Sequence, residues 1–318
     1  MFMRCFCLTI ILLLAGCQTP STTPQPYPSK PITLLVPWNP GGGTDTSSRA
    51  LAAVLQDKIG VAVNVVNRTG GSGVVGHLAL AQAKPDGYTL GAMTGEITMM
   101  HWTGLTDLTL ADYTPLAMTV NNPAAVTVLA DAPWNTLEEL LADVRARPGE
   151  ILASGTSKNG IWDIARMGLL EKAGLPETAM PWIPSPGGAA PAMQELMAGG
   201  VQVLTIALAE AAAQYRSGQV KVLGVMAAER LAAYPDVPTL AEQGFDVQVG
   251  GWVSVAAPAG LPDSILVPLS EAIRQATADS AFTGPLQTAG HNLQFMEGNA
   301  LTSFLAAQDE LNGRLLGN

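Results

Sequence analysis

Short apolar runs rich in β-branched residues alternate with longer stretches whose apolar positions recur every three or four residues, from Lys30 to the C-terminus. Runs of the first kind suit buried strands, and stretches of the second suit helices with one face in a core. Strands are predicted at residues 32–36, 63–66, 88–93, 116–120, 125–129, 151–154, 201–206, 222–226 and 253–257. Helices are predicted at 44–59, 74–83, 137–147, 161–173, 189–198, 209–217, 263–278 and 300–315. Two capping boxes, Thr136 with Glu139 and Thr239 with Glu242, mark helix starts. This alternation predicts an α/β protein with mostly parallel sheets. No long low-complexity linker interrupts the chain after Ile32, so its domains must be joined by short crossing strands. Asn121-Asn122-Pro123 and the return at Gly250-Gly251-Trp252 are the best places for them.

Composition narrows the class. The chain has 318 residues, 48% hydrophobic and only 13% charged, with a net charge of -10. That excludes a disordered chain, which needs low hydrophobicity and dense charge, and a nucleic-acid reader, which needs a basic face. The length suits two domains.

All three cysteines, Cys5, Cys7 and Cys17, fall at the N-terminus. There Arg4 precedes an apolar run too short to span a bilayer but suited to a signal-peptide core. Leu14-Ala15-Gly16-Cys17 resembles the lipobox of bacterial lipoproteins, which implies cleavage before Cys17, lipidation of its sulfur and retention on a membrane, the outer one in a Gram-negative cell because Gln18 follows. Ordinary secretion is the alternative. Residues 1–16 then form the signal peptide and residues 17–29, rich in Pro, Ser and Thr, an extended tether. Cleavage removes Arg4 and no acid, leaving a charge of -11.

Three junctions carry candidate chemistry. The strand at 32–36 runs into Gly41-Gly42-Gly43 and then a helix opened by Thr44, Asp45 or Thr46, with Pro40 before and Trp38 beside the glycines. Glycines at a helix N-terminus leave backbone N–H groups approachable by an anion. Ser154-Gly155-Thr156-Ser157 repeats the arrangement, and so does Ser185-Pro186-Gly187-Gly188-Ala189. The repetition suggests a carboxylate held by neutral donors between two lobes, with Trp38, Trp102 and Trp162 available as aromatic walls. A rival, Gly71-Ser72-Gly73-Val74-Val75-Gly76 with Glu96 beyond it, matches a dinucleotide fingerprint, but residues 67–70 separate it from its strand. His77, His101 and His291 lack metal-ligand spacing, and there is no nucleophile elbow or Walker loop. No cofactor and no metal are therefore expected.

Several strings taken together are specific. Tyr27-Pro28-Ser29-Lys30-Pro31-Ile32, Pro37-Trp38-Asn39-Pro40 with the glycines to Asp45, Asn67-Arg68, Lys84-Pro85-Asp86-Gly87-Tyr88-Thr89, Gly187-Gly188-Ala189-Ala190-Pro191-Ala192 and Tyr234-Pro235-Asp236-Val237-Pro238-Thr239 occur in order. With them the chain resembles the tripartite tricarboxylate transporter solute receptors, the Bug or TctC family. The resemblance implies a type II periplasmic-binding-protein fold, two α/β lobes joined by crossing strands that close on a carboxylated ligand. Lobe 1 is placed at residues 30–122 plus about 254–318, and lobe 2 at about 123–253. The family's ligand loops match Pro40 to Asp45, Ser154 to Ser157 and Ser185 to Ala189.

The departures bear on what is bound. Trp162-Asp163 stands where relatives carry a histidine, Leu204-Thr205 replaces a usual acid, and Trp38-Asn39 replaces Phe-Pro. Thr44, Ser154, Thr156 and Ser157 hydroxyls are expected to hold one carboxylate, with Trp38, Trp162 and Asp163 shaping the other end. The expected partners are a small organic carboxylate, membrane permease subunits and a membrane reached through Cys17, with no nucleic acid and a monomeric chain. A receptor feeding a sensor, or a secreted hydrolase using His77 or His101, is the alternative.

Overall fold

A computed structural model describes residues 27–185 and 189–317. Cys17, where lipidation is expected, and the signal peptide lie outside the described residues. Strand β1 (Ile32–Val36) is fully apolar apart from Thr33 and feeds α1 (Gly43–Ile59), which ends on Gly60 in the left-handed region. Then come β2 (Val63–Asn67), α2 (Val74–Ala81) and β3 (Thr89–Thr94). β1 pairs in parallel with β2 on one side and β3 on the other.

The long strand β4 (Tyr113–Leu129) organises the molecule. Its first part pairs antiparallel with β9 (Gly250–Pro258) and with β10 (Leu293–Glu297), completing a first sheet with β3 beside β9. Its last part pairs with β7 (Val203–Ala207) and β8 (Val220–Val225) in a second sheet. There β5 (Ala153–Ser154) lies parallel between β6 (Trp182–Ile183) and β7. The remaining helices are α3 (Leu137–Ala146), α4 (Ile161–Lys172), α5 (Ala189–Met197), α6 (Ala212–Arg216), α7 (Asp263–Ala278), α8 (Ser280–Thr288) and α9 (Gly298–Leu315).

Period-2 alternation decides which helices cover each face of the first sheet. Ile32, Leu34 and Val36 share a buried cluster with Leu51 and Leu55 of α1, Ile273 of α7 and Phe282 of α8. Leu35 and Trp252 turn the other way, onto Leu80 of α2 and Leu301 of α9. Gly91 allows this: a Cβ there would stand 2.5 Å from Leu80. The second sheet has its own core, built from Val126, Ile206, α3, α4 and α5.

Three predictions change. The strands expected at 116–120 and 125–129 are one, because Pro123 is accommodated opposite Gly250 and Pro115 beside a register shift. The Thr239–Glu242 box forms both reciprocal bonds, at 2.9 and 3.1 Å, but opens only a single turn at Ala241–Gln243, closed by Gly244. β10 and α8 are not among the predicted elements; α8 forms despite Gly284 and Pro285 because Asp279 caps it and Phe282 and Leu286 are buried beneath it.

Candidate functional site

The first loop folds around a buried acid. Asp45, third residue of α1, is 2% exposed and accepts hydrogen bonds from Gly41 N–H at 2.8 Å, Arg49 Nε at 2.9 Å and Asn67 Nδ2 at 2.9 Å. Burial works against its charge, but these donors outweigh it and hold the carboxyl below its ordinary range. Asn67 Nδ2 also reaches Trp38 O at 2.8 Å. With Gly41 at φ 84°, the loop turns so that Gly42 becomes the N-cap of α1 without any side-chain cap. The first N–H groups of a helix have no partner within it, and no side chain caps them here, which is the geometry that suits an anion. Thr44 is half-buried, and Pro40, Gly41, Gly42 and Gly43 are exposed.

The second loop repeats the device. Asp163, third residue of α4, accepts Asn159 N–H at 2.9 Å, and Gly160 caps the helix, again with no side-chain cap. Its cation is Arg166, whose Nε and Nη2 reach Asp163 Oδ1 at 2.9 and 2.6 Å while Nη1 reaches the carbonyls of Glu177 and Met180 at 3.0 Å each. Both Asp163 oxygens are thus engaged at a residue 1% exposed. The carboxylate clamps the loop and is not offered to a ligand, contrary to the sequence expectation. Ser154 is likewise committed, its hydroxyl donating to Ile183 O at 2.7 Å, whereas Thr156 and Ser157 are partly exposed. Gly155 has no room for a side chain: a Cβ would stand 2.8 Å from Thr205 O and 2.9 Å from Trp162. Ser185 N–H ties the third loop to Thr156 O at 2.7 Å. Ala189 opens α5, and Gly187 and Gly188 lie outside the described residues.

Both helix ends are tied to one stretch of the β4–β9 ladder, α1 through His291 and α4 directly, where Asn121 faces Trp252, Asn122 faces Gly251 and Pro123 faces Gly250. On the α1 side, His291 packs against Gly43, whose Cβ would lie 3.2 Å from its Cε1, and its Nδ1 bonds Asn122 Nδ2 at 3.0 Å. Asn122 Oδ1 accepts Asn292 N–H at 2.9 Å, which orients the amide so that Nδ2 is the donor and the imidazole proton sits on Nε2. Burial lowers the His291 pKa and favours this neutral form. On the α4 side, Trp162 packs on Gly251, whose Cβ would be 3.1 Å from the indole, and Ile161 packs on Gly95 at the end of β3. Trp162 is 5% exposed and belongs to the second core, so it braces the helix end against the ladder instead of standing open as a wall.

Trp38 is half-buried and donates to Thr94 Oγ1 at 3.3 Å, and Thr94 in turn donates to Glu96 Oε2 at 2.6 Å. Beneath them His77 accepts Thr94 N–H on Nε2 at 3.2 Å and holds Nδ1 on Gly73 O at 2.9 Å; burial pushes its pKa down to about 4. His77 is therefore a neutral structural link between β3 and α2. His101 pairs with Asp309 of α9. Two surface grooves, about 490 Å³ beside α5 and about 440 Å³ along α1 and β2, include none of the ladder residues. Sequence reasoning missed His291, Asn122 and Trp252 as site residues, because only the register of β4 against β9 and β10 brings them to the helix ends.

Residues 47–318 match the model of the tripartite tricarboxylate transporter family receptor. A UPF0065 protein of Bordetella pertussis is 33% identical over 308 residues, 96% of this chain and 92% of that protein. The crystal structure of a TctC solute binding protein from Polaromonas superposes with a TM-score of 0.80 at 32% identity, covering 91% of this chain and 99% of that one. An R. palustris protein solved with adipate shares the fold, with a TM-score of 0.78 at 24% identity over 92% of this chain and 98% of its own.

Proposed function

We propose that this chain, which belongs to the tripartite tricarboxylate transporter receptor family, captures a small organic carboxylate outside the cytoplasm and delivers it to membrane permease subunits. One observation carries the reading: two glycine-opened helix ends without side-chain caps are tied to the same Asn122–Gly251 rung, α1 through His291 on Asn122 and α4 through Trp162 on Gly251. Helix ends of that kind hold a carboxylate through neutral amides, which suits a protein of net charge -10. The neighbour solved with adipate supports an acid as the ligand.

In this reading residues 30–122 plus about 254–318 form one lobe and about 123–253 the other, and the crossing strands at Asn121–Pro123 and Gly250–Trp252 act as the hinge. The ligand meets the amides of Gly42, Gly43 and Thr44, the hydroxyls of Thr44, Thr156 and Ser157, the third loop at Ser185 to Ala189, and Trp38. Asp45 and Asp163 hold the loops in shape. Cleavage after residue 16 and a lipid on Cys17 place the monomeric receptor at a membrane surface. Thermal-shift and calorimetric titration with acetate, succinate, malate, adipate, citrate and benzoate tests the core of the proposal. At a hundred times its Kd, a binding acid stabilises the fold by about 2.7 kcal/mol, a shift of several degrees. Failure of every acid to stabilise folded protein would overturn the reading.

A further inference from the structure

One acid beside the helix ends has no task in the scheme so far. Glu96 lies in the turn that follows β3, and because β1 and β3 run parallel, that turn leaves the sheet at the same edge as the glycine loop before α1. Its chain neighbours touch both helix-end loops. Thr94 Oγ1 accepts the Trp38 Nε1–H of the first loop at 3.3 Å, and a Cβ on Gly95 would stand 3.6 Å from Cδ1 of Ile161, the first residue of α4. The segment 94–96 is thus placed between the two.

The carboxyl of Glu96 is half satisfied. Its Oε2 accepts the Thr94 hydroxyl at 2.6 Å. Its Oε1 has no partner on another residue and is not among the sealed unpaired atoms, so solvent reaches it, and the residue is partly exposed. Asp45 and Asp163 each hold an arginine, whereas no cation among the described residues pairs with Glu96. Burial raises its pKa although one oxygen is open, as expected of an acid crowded by protein on all sides but one. A bare carboxylate in that position repels the carboxylate of a bound acid, and a donor set against it turns repulsion into a charge-assisted bond. We infer that Glu96 selects the ligand by accepting on Oε1 a hydrogen bond from a hydroxyl or ammonium group carried by the bound acid, so that hydroxy and amino acids are taken in preference to unsubstituted ones. The inference rests on the receptor reading and deepens it by naming the class of acid.

The test compares matched acids on the wild-type protein by calorimetric titration: succinate with malate and aspartate, adipate with 2-aminoadipate, and phenylacetate with mandelate. In whichever set binds, the acid carrying the donor is expected to bind roughly ten- to a hundred-fold more tightly, the range of one hydrogen bond to a charged group. Glu96→Ala is expected to erase that preference by weakening the substituted acid while leaving its unsubstituted counterpart no weaker. A residue that only shaped the loop would weaken both members alike. Should Glu96→Ala fail to fold, Glu96→Gln, whose amide oxygen still accepts the Thr94 hydroxyl, carries the test, and the amino acids are then expected to lose most because their charge partner is gone. Equal affinities within the sets, binding confined to unsubstituted acids, or a preference that survives in the variant would overturn the role of Glu96 while leaving the receptor reading intact. Failure of every acid on the wild-type protein would instead sink the receptor reading and the selection with it.

Discussion

The loops that open α1 and α4 use one device with opposite exposure. In each, an acid at the third helical position accepts the N–H four residues before it and binds an arginine one turn further along. Around Asp45 the arginine is half exposed, at 50%, whereas Arg166 and Asp163 are 4% and 1% exposed. The difference shows which loop is set rigidly and which can adjust. The first is shaped by a screened pair beside solvent. The second is locked to the carbonyls of the Glu177–Met180 turn and cannot move without breaking a buried charge network.

The largest effect that sharpens this comparison comes from removing each arginine. Arg166→Met strands a buried carboxylate and is expected to cost about 3–5 kcal/mol, while Arg49→Met should cost about 1 kcal/mol or less. Urea denaturation of both variants decides it, and similar losses would show that the two clamps are equally buried in energetic terms. Asp163→His falls under the same logic: it should lower stability more than it changes ligand preference.

An intermediate effect separates the regions by pH. His77, under the first loop, has a folded pKa of about 4 against an ordinary 6.5. The folded state binds fewer protons than the unfolded chain between those values, so stability is lost as pH falls from about 6.5 towards 4. The loss amounts to about 3 kcal/mol. His77→Gln should flatten that part of the stability curve, measured by thermal or urea unfolding across the range. An unchanged curve would mean that the acid loss arises elsewhere.

The smallest effect concerns the tie between the first helix end and the ladder. His291→Phe keeps a ring against Gly43 but removes the acceptor for Asn122 Nδ2, which should cost about 1 kcal/mol of stability. Binding of a panel acid should weaken several-fold, because the α1 end loses its registration on β4. A variant with lowered stability and unaltered affinity would reduce His291 to a packing residue.

Local chemistry made much of this legible from the chain alone. The buried run Ile32–Val36, the three glycines after it and the polar opening of the next helix specify a strand, a turn and a helix at adjacent positions, and α1 begins one residue before the expected start. The helix Asp263–Ala278 was expected at those same residues because its apolar period is long and clean. Asp163 was misjudged for a local reason as well: it follows the loop in sequence, but the decisive fact is Arg166 one turn on, in a helix buried on nearly every side. What stayed hidden is non-local. His291 reaches Gly43, and Trp252 reaches Gly95, only through strand register, which no spacing along the chain encodes. α8 was masked by Gly284 and Pro285, whose low helix propensity tertiary burial overrides.

In the proposed receptor an acid bridges the N-terminal ends of α1 and α4 above the crossing ladder. Hydrogen exchange at backbone amides, with and without a saturating panel acid, tests it most directly. Gly43 and Thr44 on one helix and Ile161 and Trp162 on the other, whose N–H groups have no backbone acceptor, are expected to gain protection together. Protection at one of these ends alone, or at the groove beside α5 with both ends unchanged, would contradict it.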